Sequence, residues 1–398
     1  MHTAPKSDEM PALLGAPPLF PEGLSLARPA VRDPEAVGGR MADILASGVF
    51  TDGPLVRRLE EQAAAYLGVR HCVAVGSCTA GLMLVLRTAD IAGDVLVPSF
   101  TFAATAHAVA WNGLRPVFVD IRPDTLNMAP EACERAIDAG TSAILAAHIF
   151  GTPCDVEALA RIAKEHGLRL FFDAAHAFGS RHSGDMVGSF GDAEVFSLSP
   201  TKVLVAGEGG VIATDDDLLA ERCRIGRNYG NPGDYDCRFV GLNARMSEFH
   251  AAVALASFED LEDRLTERAE LAATYRDALA GLPGISFPTV SEGDRSTFKD
   301  LTILVDAEGF GLGPDELGRA LAAEGIETRR YYAPPVHTME AYRSLGAPAH
   351  PLGVTNQVAS RTLTLPLWTG MGADRVRRVA RAISRSRAVA GKRHDSGG

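Results

Sequence analysis

Short apolar runs alternate with stretches of helical spacing over the first two thirds of the chain. Residues 72–75, 95–98, 116–120, 143–149, 168–173 and 193–198 are apolar almost throughout. Such runs suit strands covered on both faces, which predicts a parallel sheet flanked by helices. One more strand is expected over 209–214, before the charged turn Asp215 to Asp217. From 246 to 282 apolar residues return at helical spacing, with Met246, Phe249 and Val253 on one face. They predict one or two long helices stopped by Gly281, Pro283 and Gly284. Segments 298–305, 314–324 and 374–387 then predict a smaller α+β unit.

The fold class expected is therefore α/β, a mainly parallel sheet sandwiched by helices with a smaller C-terminal α+β domain. At 398 residues the chain exceeds a single core. The expected division is an N-terminal arm over 1–31, a large domain over 32–258, a small domain over 259–390 and a flexible tail over 391–398. The arm rests on Pro5, Pro11, Pro17, Pro18, Pro21 and Pro29, which favour an extended surface path over a core element.

Composition narrows the class of partner. With 46% hydrophobic and 22% charged residues the chain is an ordinary globular one, and its formal net charge of −11 argues against nucleic acid or an anionic membrane as partner. A small phosphorylated ligand needs only a local cluster of donors. The six cysteines, at 72, 78, 133, 154, 223 and 237, lack the spacing of a zinc site or redox pair, so no metal is expected. No apolar stretch reaches the ~18 residues of a membrane span, and Met1 to Met10 does not read as a signal peptide. A cytoplasmic location follows as the expectation.

Candidate chemistry begins at Phe196-Ser197-Leu198-Ser199-Pro200-Thr201-Lys202, followed by Gly207-Glu208-Gly209-Gly210. A lysine just past a strand, among small residues, can reach a pocket, and a desolvated amine condenses with an aldehyde such as that of pyridoxal phosphate. Alone, a solvated surface lysine explains the position better. Leu170-Phe171-Phe172-Asp173-Ala174-Ala175-His176 places a carboxylate at the end of an apolar strand, where ligands of open parallel sheets bind. An aspartate there can keep a pyridine nitrogen protonated, and His176 can bond a phenolic oxygen. A helix cap and a core histidine are the alternative. Val75-Gly76-Ser77-Cys78-Thr79-Ala80-Gly81-Leu82 joins strand to helix through small residues, so that amides, the Thr79 hydroxyl and Ser197 can hold a dianion. A simple capped turn remains open for that loop.

In this order and spacing the motifs resemble the sugar aminotransferases of the DegT/DnrJ/EryC1/StrS family, of fold type I among pyridoxal-phosphate enzymes. The resemblance runs from about Arg32 to Arg387. It also draws on Thr51-Asp52-Gly53-Pro54, Val97-Pro98-Ser99-Phe100-Thr101-Phe102-Ala103-Ala104-Thr105, Phe118-Val119-Asp120, Thr125-Leu126, His148-Ile149-Phe150-Gly151, Arg227-Asn228, Gly241-x-Asn243-x-Arg245-Met246-Ser247-Glu248, Tyr331-Tyr332-x-x-Pro335-x-His337 and Leu365-Pro366-Leu367. It implies that Lys202 anchors pyridoxal 5'-phosphate covalently, Asp173 pairs with the ring nitrogen, His176 supports the phenolic oxygen and Phe102 stacks on the ring. Cys78, Thr79 and Ser197 would hold the phosphate, joined by Asn243 of a partner subunit, since the family implies a homodimer with shared active sites.

The resemblance also implies an exchange in which L-glutamate gives its amine, through the cofactor, to a nucleotide-diphosphate keto sugar. Lys202 would move the proton in both halves. Arg227, Arg245, Arg329, Arg330, Tyr331 and His337 are placed near the sugar nucleotide. Ser199-Pro200-Thr201-Lys202 and the glycines after it look more like relatives that aminate C4 of dTDP-4-keto-6-deoxyglucose than C3. Departures from the commoner pattern at Leu198-Ser199, Tyr229, Leu242 and Ala244 touch substrate contacts rather than the cofactor.

Other readings are a 3-keto sugar aminotransferase, a dehydratase or amino-acid synthase of the same fold, and a non-catalytic regulatory paralogue. Ser199-x-x-Lys202 also fits a serine-acylase motif, but the Ser-Asp-Asn and Lys-Thr-Gly tripeptides it needs are absent. No Gly-x-Gly-x-x-Gly follows a strand, which excludes a Rossmann dehydrogenase. The downstream pathway, antibiotic glycosylation or surface polysaccharide, stays open.

Overall fold

A computed structural model describes residues 10–29, 31 and 33–395. Seven strands form the principal sheet: β1 (His71–Val75), β2 (Asp94–Pro98), β3 (Arg115–Val119), β4 (Thr141–Ala147), β5 (Arg169–Asp173), β6 (Ala193–Ser197) and β7 (Gly210–Thr214). Their spatial order is β1-β7-β6-β5-β4-β2-β3. Every neighbouring pair is parallel except those made by β7, which runs antiparallel to both β1 and β6. The antiparallel insertion accords with the return between β6 and β7, which carries no helix, since a parallel crossover usually needs one.

Alternation along each strand sends side chains to two separate cores. Cys72 and Ala74 of β1 and Phe196 of β6 pack with the helices Pro54–Leu67 and Glu248–Phe258. Val73 and Val75, with Ala193 and Val195, pack on the opposite face against the helices Cys78–Thr88 and Ala103–Trp111. Both faces being covered explains why the strands read as continuous apolar runs.

The helical segment after 246 is two helices, Glu248–Phe258 and Leu261–Ala278. The second starts in the first core at Leu261 and Leu265 and ends in another at Leu271, Ala272 and Tyr275. That further core is built on a three-stranded antiparallel sheet of β8 (Ile285–Ser286), β9 (Leu301–Val305) and β10 (Thr362–Leu365). The helices Pro314–Ala323 and Ala373–Asp395 pack with it.

The two ends depart from expectation. The described part of the N-terminal segment is no surface arm: Phe20 is 1% exposed and joins Leu24 in the core beside β9 and β10. Its backbone is held there, Phe20 N donating to the Glu324 carbonyl and Leu24 N to that of Gly325. The prolines set an extended path, and Phe20 and Leu24 supply the apolar anchors that composition alone hides. Residues 1–9, and with them Pro5, lie outside the described residues. At the other end the last helix continues through Gly391 to Asp395, so the expected tail is helical that far, and 396–398 lie outside the described residues.

Candidate active site

The strands β1, β2, β5 and β6 point their carboxyl ends to the same side of the sheet, and the sequence after each delivers one functional group there, as open α/β sheets do. A cavity of about 290 Å³ opens at that edge. Its wall includes Thr79, Phe102, Asp173, His176, Ser197 and Lys202 together.

Asp173 closes β5 and is buried. Its Oδ2 accepts from the Thr105 hydroxyl at 2.7 Å and its Oδ1 from Ala175 N at 3.1 Å. Burial raises the carboxyl above its ordinary value, and these two bonds oppose that rise only in part. A cation is what such a carboxylate lacks, and a protonated ring nitrogen is one.

Lys202 sits in the return between β6 and β7. That loop is fastened by Leu198 N donating to the Gly209 carbonyl, Ala206 N to that of Leu198 and Lys202 N to that of Ser199. Burial first, and then the Lys299 ammonium, bring the Lys202 amine down to about 8. An amine so poised is neutral often enough to act as nucleophile or base near neutrality. His176 is pushed well below its usual value by burial, then by Lys202 and Lys299, and so stays neutral.

The helix Cys78–Thr88 begins at the cavity wall. Ser77 caps it, its hydroxyl accepting from Ala80 N at 3.2 Å, and its carbonyl accepts from Gly81 N. The Cys78 and Thr79 amides are then first-turn donors with no intrahelical acceptor, as an anion site requires. Phe102 immediately precedes the helix Ala103–Trp111 and is 63% exposed, a large apolar face available to a flat ring. Amine, carboxylate, aromatic face and first-turn amides thus fit the pyridoxal phosphate implied by the sequence: Lys202 would hold its aldehyde carbon, Asp173 its ring nitrogen, and Cys78, Thr79 and Ser197 its phosphate.

The cationic residues proposed for the sugar nucleotide divide differently. Tyr331 lines the cavity, but Arg227, Arg245, Arg329, Arg330 and His337 do not, and neither does Asn243, expected at the cofactor phosphate of a partner subunit. Arg227 is buried, its guanidinium bonded to Glu60, to the Ala74 carbonyl at 2.7 Å and to Asp52 at 2.7 Å, which makes it a brace for β1 rather than a free phosphate ligand. Arg330 is committed to Asp315 and to the Ala359 carbonyl, and Arg329 to Glu327 at 2.8 Å on the surface. His337 Nδ1 is 2.6 Å from the Ser99 hydroxyl. Arg245 donates to Asn228 and Asn243 and lies over the Tyr229 ring.

The sequence reading missed Glu208, Lys299, Asp300 and Tyr332, all in the cavity wall. Glu208 and Tyr332 lie inside quoted motifs; a charged residue next to the candidate lysine was the available signal. Lys299 and Asp300 carried none, because they fall inside the expected segment 298–305 with no motif around them.

The description DegT/DnrJ/EryC1/StrS aminotransferase family matches residues 34–384. The chain is 34% identical over 334 residues to a dTDP-4-amino-4,6-dideoxy-D-glucose transaminase of Escherichia coli, covering 83% of this chain and 90% of that protein. It is 36% identical over 346 residues to a dTDP-3-amino-3,4,6-trideoxy-alpha-D-glucose transaminase of Streptomyces venezuelae, covering 86% and 90%. Among solved structures it superposes on DesI, crystallised in the presence of its TDP-sugar product, with a TM-score of 0.90 at 40% identity over 96% of this chain and 99% of that one.

Proposed function

The chain belongs to the DegT/DnrJ/EryC1/StrS aminotransferase family, and we propose that it transfers the amine of L-glutamate to C4 of dTDP-4-keto-6-deoxy-D-glucose, giving dTDP-4-amino-4,6-dideoxy-D-glucose. The observation that carries an amino-transfer reading is the buried Lys202 amine, brought to about 8, in one cavity with Asp173, Phe102 and the Cys78–Thr88 helix start. Pyridoxal phosphate, when bound there, supplies an aldehyde for the amine and a ring that accepts electrons.

This chain's residues would do the rest. Lys202 Nζ would take the proton from the carbon of the amino donor in one half and give a proton to the sugar carbon in the other, exchanging it each time with the cofactor carbon, so that one group serves as base and acid. Asp173, steadied by Thr105, keeps the ring nitrogen protonated. Neutral His176 offers a hydrogen bond without adding charge. Asn243 and Arg245, which lie outside the cavity of their own chain, would serve a partner's cavity in a homodimer, which is the assembly we propose. Among the described residues no helix is long and apolar enough to cross a membrane, and a cytoplasmic enzyme fits nucleotide-sugar substrates.

Support for the C4 position comes from the Ser199 to Gly210 loop and from the C4-named relative; a relative named for a 3-amino sugar is matched over as much of the chain. The deciding assay incubates the holoenzyme and glutamate with 4-keto and 3-keto nucleotide sugars and locates nitrogen in the product by NMR. Product from the 4-keto sugar is expected. Product from a 3-keto sugar alone overturns the C4 assignment, and glutamate-independent consumption of sugar overturns transamination.

A further inference from the structure

Lys299 and Asp300 stand at the entrance to β9 and line the same cavity as Asp173. Lys299 Nζ donates to Asp300 Oδ1 at 2.8 Å, and both side chains are almost wholly buried. The loop that carries them is fixed from behind: Arg268 Nη2 donates to the Phe298 carbonyl at 2.6 Å and the Lys299 carbonyl at 2.8 Å, and Lys299 N donates to the Phe150 carbonyl at 3.1 Å. The loop backbone and the Lys299–Asp300 pairing are therefore in place before any ligand arrives.

The second oxygen of that carboxylate is different. Asp300 Oδ2 is buried and has no hydrogen-bond partner among the described residues. His176 Nδ1 lies 4.0 Å away, beyond hydrogen-bond reach. A buried carboxylate oxygen without a donor is costly, and native structures rarely keep one without use. Asp300 lines the cavity that Lys202 enters, so a ligand can supply the donor.

Charge decides what kind of donor. Lys299 and Asp300 together are neutral, so the pair does not attract a phosphate or the carboxylates of an amino acid, and the open oxygen repels both. A sugar hydroxyl is neutral, carries a hydrogen to give and loses little on leaving water if it finds an acceptor. Resting on the keto-sugar reading above, we propose that Asp300 Oδ2 accepts a hydrogen bond from a hydroxyl of the sugar ring, with Lys299 occupying the other oxygen, and so helps select the sugar rather than the amino donor.

The test separates the two halves of the reaction. Wild-type and Asp300→Ala holoenzymes are mixed with glutamate alone, and the change in cofactor absorbance gives the donor half. The sugar half is measured with the keto sugar and with analogues in which each ring hydroxyl is replaced by hydrogen. For wild type, one analogue should lose about tenfold or more in kcat/KM, since a site built to bond a hydroxyl rejects the compound lacking it. Asp300→Ala should lose as much on the full sugar, discriminate no further against that analogue, slow the donor half far less than the sugar half and bind the amino-sugar product more weakly by calorimetry.

A wild-type enzyme that treats every analogue alike overturns the proposal even if the variant fails to fold. So does a variant that slows both halves equally. A wild type that completes the donor half but aminates no nucleotide keto sugar overturns the substrate reading, and this assignment with it; an active wild type matched by Asp300→Ala overturns only the role of Asp300.

Discussion

The Thr105 hydroxyl donates to Asp173 Oδ2 at 2.7 Å from the first turn of the helix that Phe102 precedes. Thr105 N also donates to the Phe102 carbonyl. The aromatic face and the buried carboxylate are therefore placed by one helical turn, and a change in either is felt by the other.

Thr105→Val keeps the shape of that turn and removes the hydroxyl. Asp173 then retains one of its two hydrogen bonds, and its ionised form loses about 1–3 kcal/mol of support. Affinity for pyridoxal phosphate should fall by about tenfold in an absorbance titration of the cofactor-free protein, with little change in the protein's melting temperature. Unchanged affinity would show that Thr105 does not prepare Asp173.

The Lys202 amine makes a prediction about pH. Its folded value, about 8, lies below the ordinary 10.5, chiefly because burial disfavours the ammonium. Between those values the unfolded chain holds a proton that the folded chain has released, so the stability of the cofactor-free protein rises with pH across that window, and the full penalty is present below it. Lys202→Met removes the penalty and should be more stable than wild type at neutral pH, by on the order of 3 kcal/mol, with the gap closing from about 8 to about 10.5. Urea unfolding at several pH values measures it; a gap independent of pH refutes it. Lys202→Arg, which cannot release its proton, should lose both turnover and borohydride-fixed cofactor.

Arg227 was expected beside the sugar diphosphate and is instead held by Glu60, Asp52 and the Ala74 carbonyl. Arg227→Met leaves the Glu60 carboxylate without that cation in a mostly buried setting, a loss of about 3–5 kcal/mol in comparable buried pairs. Chemical denaturation should show that loss, while KM for the nucleotide sugar stays near wild type. Full stability with a raised KM would restore the substrate role.

These residues also mark what the sequence could convey. Lys202, Asp173 and Thr79 were legible because each follows a strand readable as an apolar run, and strand ends in such a sheet converge on one edge. The arginines were not: charge along the chain does not reveal which guanidinium is already paired, and Arg227 finds its partners more than 150 residues upstream. Thr105 was visible in its motif without a role, since its bond to Asp173 spans 68 positions. Lys299 and Asp300 gain meaning only from Arg268 behind them, and Phe20 becomes core only because the C-terminal unit folds over it.

Gly210 tests the anion cradle from underneath. Its φ is not in the left-handed region, so space alone decides whether a side chain fits. A Cβ there would stand 2.7 Å from Cys78 N and 2.8 Å from the Phe196 carbonyl oxygen, both backbone atoms that cannot rotate aside. Either β7 must move from β6 or the start of the Cys78–Thr88 helix must move from the sheet, and the second displaces the Cys78 and Thr79 amides. Gly210→Ala should therefore weaken both pyridoxal phosphate and inorganic phosphate, the first by about tenfold or more, in keeping with the strain of overpacking. Gly39→Ala is the control: nothing lies within 4 Å of its Cβ, and on an exposed helical position alanine should stabilise by up to about 1 kcal/mol. If Gly210→Ala binds both ligands as tightly as Gly39→Ala does, the phosphate is not held at this helix start, and the Cys78 and Thr79 assignments fall while that of Lys202 stands.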